Sequence, residues 1–241
     1  MSYAFLSDIH GNLESLQHAL ALVRPEEHIV CLGDTVGYGP NPNECLRLIR
    51  ERAVHVVLGN HDIAAVENFG VEYFNDAARV AIEWTQTVIE EDLRTWLNSL
   101  SYELRLPEYL FVHGAPVKYF EYILDKASAA RAFQNTDARV IFIGHTHIAE
   151  WYSLAPDGAI GHRHMQYGGT LHLEPGMRYI IDVGSVGQPR DLNPHPCFVR
   201  FNPQTEAVEW IRYEYPIFAV QEKMHECHLP EALSVRLEMG R

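Results

Sequence analysis

Three short stretches, "SDIHGN", "GDTVGYGP" and "GNHD", each follow an apolar run of strand character, and they set Asp8, Asp34 and Asn60 at equal intervals of 26 residues. Between them, "LESLQHALALV" carries Leu13, Leu16, Ala19, Leu20 and Val23 at the 3-and-4 spacing of a helix that stops before Pro25. "NECLRLIRER" reads as a second helix, opened by Asn41, Pro42 and Asn43. With "YAFLS", "HIVCLG" and "VHVVLG" as strands, the pattern is two consecutive strand-helix-strand crossovers. Such crossovers imply parallel pairing, and parallel pairing lines up the C-terminal ends of the strands with their polar tails.

Farther along, the spacing predicts helix from about Tyr73 to Leu100, with Trp84, Val88 and Trp96 as apolar anchors. "SYELRL" and "EYLFVHG" read as a hairpin about Pro107, followed by a short helix near Ser128 to Gln134 and the strand "RVIFIG". Beyond Glu150, "WYSL", "HRHMQYG", "RYIIDVG", "CFVRFN" and "AVEWIRYEY" read as strands, and the tail returns to helix. No repeat, low-complexity segment or linker divides the chain, so one domain over residues 1–241 is expected. At 47% hydrophobic residues it can bury a large core. No apolar run reaches the roughly 18 to 20 residues of a bilayer span, and the N-terminus lacks the features of a signal peptide. The expectation is a cytoplasmic protein with no membrane partner. Cys31, Cys45, Cys197 and Cys227 show no C-x-x-C pairing and read as reduced thiols.

Nineteen Lys and Arg against 32 Asp and Glu leave a formal charge of −13, which opposes binding of long nucleic acid. A small anionic substrate stays open, provided positive charge is gathered locally. The strand ends suggest how. His10 follows Asp8 by two positions, "YLFV" ends at His113, and "RVIFIG" adds His145 and His147. Residues i and i+2 of a strand project to one side, so both of that last pair are expected to face the same site. A single Asp or His at a strand end is ordinarily a turn former or a solvated residue. Two carboxylates, one carboxamide and four imidazoles in this order are another matter. They exceed the roughly three protein ligands of a catalytic zinc, whereas two ions sharing one carboxylate use all seven. Paired ions about 3.5–4 Å apart are an arrangement for in-line displacement at phosphorus.

The ordered blocks D-x-H (Asp8, His10), G-D (Gly33, Asp34), G-N-H-D (Gly59 to Asp62), H-G (His113, Gly114) and G-H-T-H (Gly144 to His147) resemble the calcineurin-like metallophosphoesterase superfamily. "GDTVGYGPNP", "GSVGQPRD" and the tail "HLPEALSVRLEMGR" look like its bacterial and archaeal branch of small metallophosphatases. The resemblance implies an α/β fold, a four-layer α-β-β-α sandwich of two mixed β-sheets flanked by helices, with a dinuclear site at one end. It implies one metal on Asp8, His10, Asp34 and His147 and a second on Asp34, Asn60, His113 and His145, with Asp34 bridging. It implies a phosphoesterase in which a metal-bridging hydroxide attacks a phosphodiester or phosphomonoester and His61 assists the leaving oxygen or stabilises charge there. Asp62 would support the ligands or cap a helix starting near Ile63. The donor set favours two divalent transition-metal ions, among Mn, Fe, Co, Ni and Zn, with Mn, Fe or Zn foremost. Two such ions against Asp8 and Asp34 would give the local charge that attracts a small phosphate ester.

Several positions depart from better-known relatives. The serine/threonine protein phosphatases of this superfamily carry an aspartate and a phosphate-clamping arginine where this chain has Gly37 and Tyr38, which weakens a protein-phosphatase reading. Arg190 is either a replacement clamp or a salt-bridged surface residue. Asp182 and Val183 stand where the branch usually has Asn-Pro, which puts the local turn in question. His162 and His164 share a strand face, with His172 and His195 in nearby loops, and all four are expected to be exposed or hydrogen-bonded. Two alternatives remain: a catalytically silent scaffold, as in the retromer subunit of the superfamily, and a nuclease with the same metal chemistry, which would need a basic groove. The strand-rich second half could supply a homo-oligomer face.

Overall fold

The early alternation folds as its spacing requires. In the computed structural model, which describes residues 2–241, β1 (Ser2–Leu6), β2 (Glu27–Cys31) and β3 (Ala53–Val56) pair in parallel. The crossovers are α1 (Leu13–Leu22) and α2 (Pro42–Arg52). Asn12 opens α1 by accepting the Ser15 N–H at 3.1 Å, and the helix ends where Val23 turns extended. Antiparallel β11 (Cys197–Asn202), β12 (Ala207–Arg212) and β9 (Gly169–His172) complete a six-stranded sheet in the order β3-β2-β1-β11-β12-β9.

The second sheet runs β4 (Glu103–Arg105), β5 (Tyr109–Val112), β6 (Val140–Ile143), β10 (Arg178–Val183), β7 (Ala149–Leu154), β8 (Ile160–His164). β5, β6 and β10 are parallel, and the outer strands are antiparallel. Buried aromatics join the sheets: Phe5 of β1 stacks on Phe142 of β6 at 4.0 Å and 7°, with Phe111 edge-on to both. Each such ring contributes about 1.5–3 kcal/mol by leaving water. Leu16, Leu20 and Ile49 of the crossover helices cover the outer face of the first sheet, and Ala129 and Phe133 of α6 (Lys126–Gln134) cover the second. The result is the four-layer sandwich.

Two expectations change. "HRHMQYG" is not one strand: β8 stops at His164, and a turn closed by Gly168 N–H on Met165 O at 2.8 Å, with Gly168 at φ +77°, reverses the chain; β9 then crosses to the other sheet, and His172 lies in it rather than in a loop. The helical stretch from Tyr73 is two helices, α4 (Asp76–Val88) and α5 (Glu91–Asn98), separated by extended Ile89 and preceded by a 3-10 turn at Val71–Tyr73. Val88 is exposed, and Ile82, Leu93 and Leu97 anchor the pair. α7 (Ile217–Glu226) and α8 (Glu231–Met239) pack against Ala78 and Ala81 of α4. All four cysteines are free thiols. Among the described residues no helix is long and apolar enough to cross a membrane.

Candidate metal centre

The strand ends converge between the two sheets. Asp8 and Asp34 follow β1 and β2, Asn60 opens α3 (Asn60–Glu67) after β3, His113 follows β5, and His145 and His147 follow β6. Four of these residues, and His10 two positions after Asp8, leave the strand geometry: Asp8, His10, Asp34, His145 and His147 have φ between +50° and +69°. A left-handed non-glycine residue costs of order 1–3 kcal/mol and persists only where its surroundings fix it. In both D-I-H and H-T-H, residues i and i+2 are left-handed. The strand-period account of His145 and His147 is therefore corrected: β6 ends at Ile143, and tight loop turns aim the two rings. His145 Nδ1 lies 3.1 Å from His113 Nε2, while His147 Nε2 lies 3.2 Å from both His10 Nε2 and an Asp8 oxygen.

Each imidazole is held by a backbone carbonyl. His10 Nδ1 meets Val36 O at 3.0 Å, His113 Nδ1 meets Leu32 O at 2.8 Å, His145 Nε2 meets Phe120 O at 3.0 Å and His147 Nδ1 meets Gln188 O at 2.6 Å. A carbonyl only accepts, so these nitrogens carry the protons and the opposite nitrogens present lone pairs inward. His10 and His147 thus aim two lone pairs at each other, an arrangement that calls for a cation between them. Burial lowers the pKa of His10, His145 and His147 well below the ordinary value, which keeps the rings neutral and ready to ligate. Burial also opposes a charge on His113, but Asp34, 3.3 Å away, and Asp8 reverse this and push it up to about 9.

The carboxylates differ. Burial, with Asp34 nearby, pushes Asp8 up to about 6, and its Oδ1 is buried without a hydrogen-bond partner. Burial likewise disfavours the charge on Asp34, yet His113 and His61 hold it well below the usual carboxylate range. Asp34 Oδ1 also accepts the His61 N–H at 2.8 Å from the first turn of α3. That helix begins at Asn60, not near Ile63. Asp62 still caps it, accepting the Gly59 N–H at 3.1 Å, and it reaches the Thr35 and Val36 N–H groups at 2.9 and 3.2 Å. One side chain ties the Asp34 loop to the Asn60 loop. Two triads can each hold a metal, Asp8 with His10 and His147 and Asp34 with His113 and His145, and Asn60 Oδ1 stands 3.2 Å from His113 Nε2. A third triad joins His10, Asp34 and His61. The orphaned Asp8 oxygen and the converging lone pairs fit divalent cations.

Residues 1–206 match the family described as the calcineurin-like phosphoesterase superfamily domain. The chain belongs to that superfamily. A metallophosphoesterase from Sphaerobacter thermophilus superposes with a TM-score of 0.89 at 36% identity, over all of both chains. An uncharacterised protein of Methanocaldococcus jannaschii is 35% identical over 246 residues, 99% of this chain and 98% of that protein. A symmetrical bis(5'-nucleosyl)-tetraphosphatase of Baumannia cicadellinicola is 36% identical over 103 residues, 41% of this chain and 36% of that protein. A calcineurin-like phosphoesterase domain is metal-dependent, which agrees with the donor atoms gathered here.

Against the superfamily pattern, the departures find physical answers. Asp182 keeps the turn in place of Asn: its oxygens accept the Thr146 hydroxyl at 2.7 Å and the Gly184 N–H at 3.0 Å, which pins the loop between His145 and His147. Tyr38 packs against His10 and His61 with ring centroids 4.5 and 4.4 Å away. Arg190 arrives from the loop after β10, lies over the Tyr38 ring at 5.6 Å, donates to Gln188 Oε1 at 2.9 Å and lines the cleft beside His61. His61 stacks on Phe74, its Nδ1 is buried without a partner, and burial, then Arg190 and His113, lower its pKa to about 4 against the pull of Asp34. A Cβ at Gly37 would collide with that Nδ1, so glycine is required there. His162 and His164 do share a face, where both approach buried Glu150, at 2.7 and 3.1 Å. Neither they nor His172 nor His195 lines the cleft. Sequence reasoning missed the aromatic walls of that cleft, although "FGVEYF" and "KYFEY" were a visible signal.

Proposed function

We infer that this chain is a dinuclear metal-dependent phosphoesterase. Asp8, His10, Asp34 and His147 would hold one divalent ion, and Asp34, Asn60, His113 and His145 the other. The observation that carries this is the set of four carbonyl-tethered imidazoles whose opposite nitrogens converge on two buried carboxylates. Bound there, a pair of divalent ions supplies Lewis acidity and activates water for in-line attack at phosphorus.

The protein's own residues do the rest. His61, held neutral beside the cleft, donates an N–H to the phosphoryl or leaving oxygen, and its ring is fixed between Tyr38 and Phe74. Arg190 stands in for the clamp arginine that Tyr38 replaces, with its guanidinium steadied by Gln188 and the Tyr38 ring. The small cleft and the −13 charge favour a small phosphate ester over long nucleic acid. Neither the scaffold nor the nuclease alternative gains an observation of its own.

The test is hydrolysis of p-nitrophenyl phosphate and bis(p-nitrophenyl) phosphate by Mn-loaded protein. Turnover of either, lowered about 100-fold or more in His61→Ala at unchanged metal content, is the expected result. Metal-loaded protein that cleaves neither ester overturns the reading.

A further inference from the structure

The cleft above the donor atoms has a floor and walls of different chemistry. Its volume is about 680 Å³, a size that takes a small organic molecule. Asn60, His61 and His145 form the floor, and the walls are aromatic. Some rings are fixed by stacking: Tyr122 on His145 at 3.9 Å and 16°, and Tyr102 on Tyr119 at 5.1 Å and 7°. Phe69 and Tyr73, from a separate segment, line the same cleft while 59% and 86% exposed. Exposed apolar surface gathered at one concave place marks a binding site rather than chance.

Charge follows the same map. Lys118, Arg190 and Arg236 line this cleft in a chain of net charge −13. Asn75, Glu121 and the tyrosine hydroxyls add groups that can meet the polar edge of a heterocycle. A sugar or glycerol phosphate has no π face to offer these rings, and a phenyl ester leaves the polar rim unused. A nucleobase uses both, because stacking on aromatic side chains is strong and tolerant of which base it is.

We propose that the walls of this cleft bind the base of a nucleoside phosphate ester, with the phosphate directed to the floor. This rests on the phosphoesterase reading of the floor. The pair of probes that isolates the base is adenosine 5'-monophosphate and ribose 5-phosphate, titrated calorimetrically into the full chain, both Mn-loaded and after chelation to exclude turnover. The nucleotide is expected to bind at least fivefold more tightly in both states. In the double variant Tyr73→Ala/Tyr119→Ala the ratio is expected to fall below fivefold with ribose 5-phosphate binding unchanged. A ratio under fivefold in the native chain, a ratio that survives in the variant, or tighter binding of O-phosphotyrosine than of the nucleotide overturns the proposal. If the ratio holds but no ester is cleaved, the catalytic reading alone fails; if esters are cleaved without the ratio, the base subsite alone fails.

Discussion

His61 and Arg190 are the residues whose chemistry is most open to experiment. Arg190→Lys keeps a charge but loses the planar fork, so kcat/KM on a phosphate ester should drop about tenfold or more with metal content unchanged, as steady-state kinetics on one preparation can check. The buried imidazoles also set how stability depends on pH. His61, lowered to about 4, and His10, His145 and His147, all lowered, take up protons on unfolding, so between about pH 4 and 6.5 they add stability as pH rises. Asp8, raised to about 6, Asp62, raised to about 7, and Asp182, raised well above the ordinary range, act the other way, three carboxyls against four imidazoles, so the net gain on the acid side is shallow. His113, raised to about 9, contributes stability below pH 6.5 that is lost as pH rises to 9. Thermal melts of the chelated protein should therefore show a maximum near neutrality, with a fall on the acid side. A monotonic rise from pH 6 to 9 would contradict the assignment. That these seven side chains would gather in one place was legible in the sequence, because ligand-type residues recur at the ends of successive strands. The carbonyls of Leu32, Val36, Phe120 and Gln188 that orient the rings were not, since a backbone acceptor leaves no trace in residue identity.

Among the elements, the first turn of α3 carries the heaviest duty. Asp62 accepts three backbone N–H groups from two loops, one bearing Asp34 and the other leading to Asn60. Asp62→Ala strands those buried donors, at about 1–3 kcal/mol for each that water cannot reach. A lower urea midpoint with weaker metal binding is expected, whereas Asp62→Asn, which keeps one acceptor oxygen, should recover part of both. This helix start was read three residues late, because Asn60 and His61 look like loop residues and act as such while holding helical geometry. The parallel strands were plain from their apolar runs. β9 was not, because Gly-Thr-Leu-His at a sheet edge offers one apolar residue and no alternation to read. The D-I-H and H-T-H loops mark the other limit of pattern reading: two-residue spacing gave the correct neighbours for the wrong reason, since left-handed backbone does the aiming.

For the molecule as a whole, the site belongs to neither sheet alone. Asp8, His10, Asp34 and Asn60 come from the C-terminal ends of β1, β2 and β3 in the first sheet and the loops that follow, and His113, His145 and His147 from the second. The loop after β10 laces them together, with Val186 N–H on Ser7 O at 2.9 Å and Gly187 N–H on Asp8 O at 2.8 Å. Ions bound across that seam should stabilise the whole fold. A ligand present at a thousandfold over its Kd adds about 4 kcal/mol. At roughly 2–4 °C per kcal/mol for a chain of this size, chelation should lower the melting midpoint by about 10 °C. A midpoint unchanged by chelation would mean that the seam closes without metal. The same division of donors makes the centre a clock. If cobalt is bound there, the band pattern of the complete donor set needs donors from both sheets at once, so in a refolding experiment that final spectrum should lag behind far-ultraviolet dichroism and mark the moment at which the two halves of the sandwich meet.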